Sequence, residues 1–405
     1  MQEDETPRRM TRGLTVTMAI ASGCAAANLY YNQPLLAQIA RSYNVPQAQA
    51  GILPPLCQIG YATGLFLLVP LGDILERRRL IVTLFAIVTA GLLLCAAAPT
   101  LPLLAIASYA VGVSTVMAQL LIPFAVTLSE PGERGRVVGN LMSGLLLGIL
   151  LSRTVSGFIG PHFGWRTMYL LAAVVMAILA IILRLLLPEG RSHALMTYSA
   201  LMRSVLHLVR EQPVLRWSAL SGGLLFGTFS AFWATLDFLL ESPAYHLGPK
   251  LGPQIAGLFG LVGAVGALAA SFAGRLADTF SPRAIVGFMT LTTLIAYGIF
   301  AGFGYHIFGL ILGVIVLDWG VQAGHVANQT RVYALLSNAH SRLNTVYMSS
   351  YFVGGSLGSY LAVRGWRLAG WSGVCEVGAG FALTGLLAHG LAGRGRTKYR
   401  EIRQD

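Results

Sequence analysis

Four polar residues in one apolar stretch hold most of the chemical potential of this chain. Asp318, Gln322, His325 and Gln329 fall at i, i+4, i+7 and i+11. That spacing stacks them on one face of an α-helix. All four are candidates to line a cavity. Asp318 and His325 are also candidates to carry a proton, because either can gain one near neutral pH if burial shifts it. The same face could instead be a hydrogen-bonded stripe between helices. A fixed positive charge, Arg153, stands in another apolar run. It would meet an anionic or carbonyl-rich cargo, or pair with an acid such as Asp318. Neutral hydrogen-bonding groups recur elsewhere: Asn28, Tyr31 and Asn32 ahead of Pro34, then Gln58 and Tyr61, then Gln119. They suit hydroxyl or amide groups of a small molecule, or contacts between helices. Pro34 removes a backbone donor and kinks the helix that contains it.

The elements that must position these residues follow from composition. The 405 residues are 55% hydrophobic and only 11% charged, and mean hydropathy is +0.67. A soluble domain carries roughly 25% charged residues, so a soluble fold of this size could not cover its surface. An ordinary cytosolic enzyme, a disordered chain and a disulfide scaffold are excluded. Cys24, Cys57, Cys95 and Cys375 each lie in an apolar stretch with no metal-ligand spacing, so neither a metal site nor a cofactor is expected. Twelve stretches of about 20 apolar residues recur, each long enough to cross a bilayer. They fall near 13–36, 48–71, 79–98, 101–128, 135–160, 165–187, 216–240, 253–274, 283–303, 306–333, 344–363 and 371–391. Backbone groups in lipid must pair within the segment, so these are helices. The predicted fold class is an all-α membrane protein with 12 transmembrane helices.

Most of the 28 Lys and Arg residues fall in the segments that are inside if the N-terminus is inside. The positive-inside rule then places both termini in the cytoplasm of a multi-pass inner-membrane protein. This also explains the basic balance without nucleic acid. The basic C-terminal run reads as a lipid-facing anchor. Trp165, Trp366, Trp371 and Tyr305, near span ends, are expected as interface anchors, with Asp237 and Glu376 near the outer interface.

The chain also repeats. Residues 188–215 form the longest polar connection, and Tyr198, Leu201, Met202, Val205, Leu208 and Val209 follow helical spacing there, as in an interfacial helix. The predicted units are a tail at 1–12, a six-helix bundle at 13–187, the linker at 188–215, a second bundle at 216–391 and a basic tail at 392–405. After the second span comes Asp73 with Arg77 and Arg78; after the eighth comes Asp278 with Arg283. A helix-end carboxylate beside guanidinium groups, at the same place in two pseudo-symmetric halves, suits a cytoplasmic gate.

Both loops, the spans and the linker resemble the major facilitator superfamily, whose loop signature is G-x-L-A-D-R-x-G-R-R. The second copy matches at Gly274, Leu276, Ala277, Asp278 and Arg283. The first keeps Leu71, Asp73, Arg77 and Arg78, with Val69 and Glu76 at the glycine positions and Ile74 after the Asp. NLYYNQPLL, LDWGVQAGHVANQTRVYAL and RLNTVYMSSYFVGGSLGS are similar to bacterial permeases of the drug, sugar and nucleoside efflux branch. The resemblance implies export of a small molecule by alternating access, against an inward proton. The antiporter signature G-x-x-x-G-P-x-x-G-G aligns with Gly148, Ser152, Arg153, Ser156 and Gly157, so the small residues survive as helix-packing positions and the proline has become Arg153. The signature arginine of the fourth span is Ser108 here. A proton-coupled importer or a facilitator is the alternative, and a membrane-embedded enzyme the alternative from another class. No HExxH and no GxxxxGK[ST] motif supports an enzyme or a primary pump. The expected partners are a small-molecule substrate, protons and the lipid bilayer, for a monomer.

Overall fold

The computed structural model describes residues 10–130, 132–189, 197–245, 247–276, 281–336 and 340–401. They form helices joined by short turns: α1 (Arg12–Ala27), α2 (Leu36–Ser42), α3 (Gln47–Ala50), α4 (Leu53–Leu67), α5 (Arg77–Ala97), α6 (Leu101–Ser114), α7 (Met117–Leu128), α8 (Arg134–Phe163), α9 (Trp165–Leu186), α10 (Tyr198–Glu211), α11 (Pro213–Trp233), α12 (Leu236–Glu241), α13 (Gly248–Leu276), α14 (Pro282–Phe303), α15 (Ile307–Tyr333) and α16 (His340–Glu401). The starts follow capping chemistry. Thr11 Oγ1 accepts from Leu14 N at 3.2 Å, and Ser281 precedes Pro282 and accepts from Ala284 N at 3.3 Å. Glu76, which departs from the glycine of the loop signature, caps α5 by accepting from the N–H groups of Arg78 and Arg79, both at 2.9 Å.

Among the described residues, nine helical stretches are long and apolar enough to cross a membrane. One of these, Ser341–Ala392, has 52 residues and leaves helical geometry at Ala369 and Gly370. Gly370 has φ of 59°, a left-handed turn that glycine adopts without strain. Its two arms then lie against each other, Gly365 facing Gly373. The first expected span misses the length needed because α1 stops at Ala27 and the chain resumes as a short 3-10 turn and α2.

The packing repeats across the two halves. In the first, α1 packs on α8, α4 on α6 and α5 on α9; in the second, α11 packs on α16, α13 on α15 and α14 on α16. Glycines permit the closest approaches: Gly23 lies against Gly144 and Gly148, and Gly223 and Gly227 lie against Gly354 and Gly358 at the matching place. The halves meet through α8 against α13 and α4 against α16.

The amphipathic α10 buries Leu201, Val205 and Leu208. Tyr198 donates from its hydroxyl to Leu67 O at 3.0 Å, so the linker lies at the end of the molecule where α4 finishes. Met10 N bonds to Leu128 O at 3.3 Å, which places the beginning of α1 at that same end. At the opposite end, Arg41 and Glu241 form an ion pair between the halves, with a second bond from Arg41 Nη2 to Glu241 Oε1 at 3.2 Å.

Candidate functional site

The centre of the molecule is built by breaks in its helices. Residues 28–35 turn through 3-10 bonds, such as Tyr30 N to Ala27 O at 3.0 Å and Leu35 N to Asn32 O at 3.0 Å. Pro34 has no N–H to continue the helix. A second break at Thr115 separates α6 from α7, and a third at Ala234 and Thr235 separates α11 from α12. Non-helical backbone at membrane depth must find partners in protein. Here Thr115 Oγ1 donates to Ala25 O at 2.8 Å and accepts from Asn28 Nδ2 at 3.0 Å. Ser156 donates to Tyr31 O at 2.5 Å.

The first break delivers Tyr30 and Gln33 to α8. Arg153, 2% exposed, donates from Nε to Gln33 Oε1 at 2.8 Å. Its guanidinium carbon lies 4.6 Å from the Tyr30 ring centre, 4.1 Å from that of Trp233 and 5.6 Å from that of Phe229. These are cation–π distances, and they join α8 of the first half to α11 of the second. The indole Nε1 of Trp233 donates to Asp318 Oδ1 at 3.4 Å. Asp318 is buried, with Gly263 against its other oxygen. Arg153 and Asp318 form no ion pair among the described residues. One tryptophan therefore offers its face to the cation and its N–H to the anion.

Of the other residues of the α15 face, His325 and Gln329 lie against α16. His325 Nδ1 and the Tyr347 hydroxyl are 3.0 Å apart, and the His325 ring lies 4.6 Å from that of Tyr351. Gln329 Nε2 reaches Met348 Sδ at 3.9 Å. Gln322 is half-buried. Aromatic rings extend this centre: Phe226 stacks on Tyr351 at 4.1 Å and on Phe229 at 5.4 Å, and Phe352 meets Tyr61 at 4.4 Å. Gln119 Nε2 donates to the Tyr61 hydroxyl at 3.5 Å. Gln58 joins the halves by donating to Ser230 Oγ at 3.2 Å and accepting from Ser359 Oγ at 3.2 Å.

Not every predicted residue joins the centre. Asn28 is spent on Thr115 within the first half, which is the interhelical alternative. Asn32 is buried. Tyr31 is buried and takes part through its carbonyl. Gly148 lies against Gly23 of its own half and Gly157 against Pro253 and Gly257 of the other, whereas Ser152 donates to Ile149 O of its own helix at 2.6 Å. Trp165 and Trp371 were expected at the lipid interface. Both are buried instead, their N–H groups held by Ser42 Oγ at 3.0 Å and Phe300 O at 2.9 Å. Tyr305 and Glu376 are exposed. Asp237, expected near the outer interface, is 2% exposed and accepts from Ala37 N at 3.1 Å. A separate apolar groove of about 610 Å³ runs between α4, α11 and α16 and is lined by none of the polar candidates.

At the linker end, Arg77 lies 3.6 Å from Asp73 and donates from Nε to Gly72 O at 3.0 Å. Arg78 lies 3.5 Å from Glu189. Asp73 also feels the charge of Arg342 in the second half. Arg283 donates to His389 O at 3.1 Å. Asp278, its expected companion, lies outside the described residues.

Sequence reasoning missed Tyr30, Gln33, Phe229 and Trp233, which sit in runs that look apolar or merely kinked. It also missed Arg41 with Glu241. The available signal was a basic and an acidic residue 200 positions apart, almost the offset of the two loop aspartates.

Residues 18–363 match the family model described as Major Facilitator Superfamily. The chain belongs to the Major Facilitator Superfamily. This superfamily chain is 42% identical to the uncharacterised transporter YgaY of Escherichia coli over 93% of its own length and 95% of that protein's. It is 32% identical to a Streptomyces coelicolor protein described as a probable transporter, over 92% and 85% of the two lengths. The crystal structure of the nucleoside transporter NupG superposes with a TM-score of 0.75 at 12% identity, covering 93% of this chain and 98% of that one. The likeness to NupG is one of fold. The family and its relatives make this a multi-pass membrane transport protein with the superfamily's two-bundle, all-α architecture.

Proposed function

We propose that this chain is a secondary transporter exporting a small organic solute across the inner membrane by alternating access, in exchange for protons. The observation that carries the reading is the buried pair of opposite charges on either side of Trp233, one from each half. A charge at membrane depth costs roughly 2.5–3.5 kcal/mol on insertion scales. It is retained where it meets cargo or ions, and rocking the halves would change what Arg153 and Asp318 can reach.

In this reading twelve spans form bundles at 13–187 and 216–391, with both termini cytoplasmic and a monomer as the working unit. Asp318 and His325 are the proton carriers, and Gln322, Gln329, Gln58, Tyr61 and Gln119 line the path. Tyr31, Asn32 and Asn28 shape the first break. Asp73, Arg77 and Arg78, with Asp278 and Arg283, form the cytoplasmic gate, to which Arg342 adds a charge from the second half. Arg41 with Glu241 closes the outer end. The similarity of NLYYNQPLL and the α15 and α16 segments to efflux permeases supports the outward direction.

The test is transport by everted vesicles with and without the protein, over a metabolite and drug panel at two pH values. A substrate should accumulate and alkalinise the acidified lumen. Substrate movement with no pH response would remove the antiport, and no substrate-dependent movement at all would sink the reading.

A further inference from the structure

We infer that the polar centre is a carboxylate site, in which Arg153 and Gln33 together hold the anionic group of an aromatic or apolar monocarboxylate. The binding stands on geometry alone; only its use in transport rests on the function proposed above.

Two buried donors lack acceptors among the described residues: Nη2 of Arg153 and Nε2 of Gln33. They belong to side chains already tied together, since Arg153 Nε occupies Gln33 Oε1 at 2.8 Å. That bond fixes the amide's orientation and leaves its N–H groups, like those of Nη2, able only to donate. Buried donors are nearly always satisfied in folded proteins, and a planar guanidinium matches a carboxylate edge. Asp318 acts on the Arg153 charge through space, yet the two form no ion pair among the described residues, and Asp318 Oδ1 accepts from Trp233 instead.

The cation itself repels a cationic ligand. A neutral ligand would give Nη2 no charge-assisted acceptor, and a dianion would bring a second negative charge into the neighbourhood of Asp318. One carboxylate meets the constraint. The rings of Tyr30, Trp233 and Phe229 around Arg153, continued by Phe226 and Tyr351, supply an apolar surface for the rest of the molecule.

The experiment measures binding to the purified full-length protein in lipid nanodiscs by tryptophan fluorescence and thermal shift. The probes are phenylacetate and benzoate, their methyl esters, and benzylamine. Both acids should bind saturably, with the esters at least about tenfold weaker because a site built for a charge-assisted bond rejects the analogue that lacks it. Arg153→Met should abolish the preference for acid over ester. Arg153→Lys should keep part of it, and Gln33→Leu should weaken the acids while sparing the esters. If Arg153→Met does not fold, Gln33→Leu and the acid–ester comparison on the unaltered protein decide. Equal binding of acid and ester, a preference for benzylamine, or no saturable acid binding overturns the site. Proteoliposome counterflow with labelled phenylacetate separates the two readings. Binding without movement keeps the site and counts against transport, whereas movement of another solute with no acid binding keeps transport and removes the site.

Discussion

Trp233 keeps two opposite charges close while holding them apart. Its ring face lies 4.1 Å from the Arg153 guanidinium and its N–H reaches Asp318 at 3.4 Å. Trp233→Phe preserves an aromatic face and deletes the donor. Transport should fall by about tenfold, the effect of losing a hydrogen bond to a charged group in a dry site, while the preference for carboxylate probes persists. Asp318→Asn removes the exchangeable proton but keeps a polar side chain of the same size. The pH dependence of transport should flatten in this variant, measured as initial rates across pH 5 to 8. An unaltered profile would move the coupling role to His325, whose Asn variant is the matching control.

At the scale of elements, the fold makes its site by interrupting helices and then repairing the backbone. Thr115 serves both the break between α6 and α7 and the break after α1, through Ala25 O and Asn28. Thr115→Val keeps the shape and deletes those bonds. Leaving buried polar groups unpaired should cost about 1–3 kcal/mol, read as a lower melting temperature in nanodiscs. The long α8 needs the opposite property, continuity with close approach. A side chain at Gly148 would strike the backbone of Gly23, and one at Gly157 would strike Pro253. Gly148→Val should push α1 from α8, carry Tyr30 and Gln33 away from Arg153, and lose acid binding together with stability.

At the scale of the molecule, the halves touch at both ends. Arg41 with Glu241, and Asp237 with Ala37 N, close the end far from the linker; Asp73 faces Arg342 at the linker end. Arg41 is partly exposed, so its pair is worth about 1 kcal/mol rather than the larger value of a buried one. Arg41→Glu should raise thiol labelling of cysteines placed at the far end, and the swap with Glu241→Arg should restore protection. Failure of the swap would mean that shape rather than charge holds this end shut.

Much of this was legible in order along the chain. Apolar runs, the basic connecting segments and the repeated Asp73 and Asp278 loops report local facts: a bilayer spares few polar residues, so each exception is visible. Arg153 and the Asp318, Gln322, His325 and Gln329 face stood out for that reason, and the family followed from the loops. The sequence by itself thus determined the class, the repeat and the list of costly residues. Only the tertiary structure decided which of them meet. Asn28 turned inward to Thr115, and Trp165 and Trp371 were buried rather than anchored in lipid. Tyr30, Gln33 and Trp233 became neighbours of the charges. Those outcomes depend on where broken helices from two halves come to rest, and a pattern with a period of one helical turn contains no information about contacts formed across a hundred residues or more.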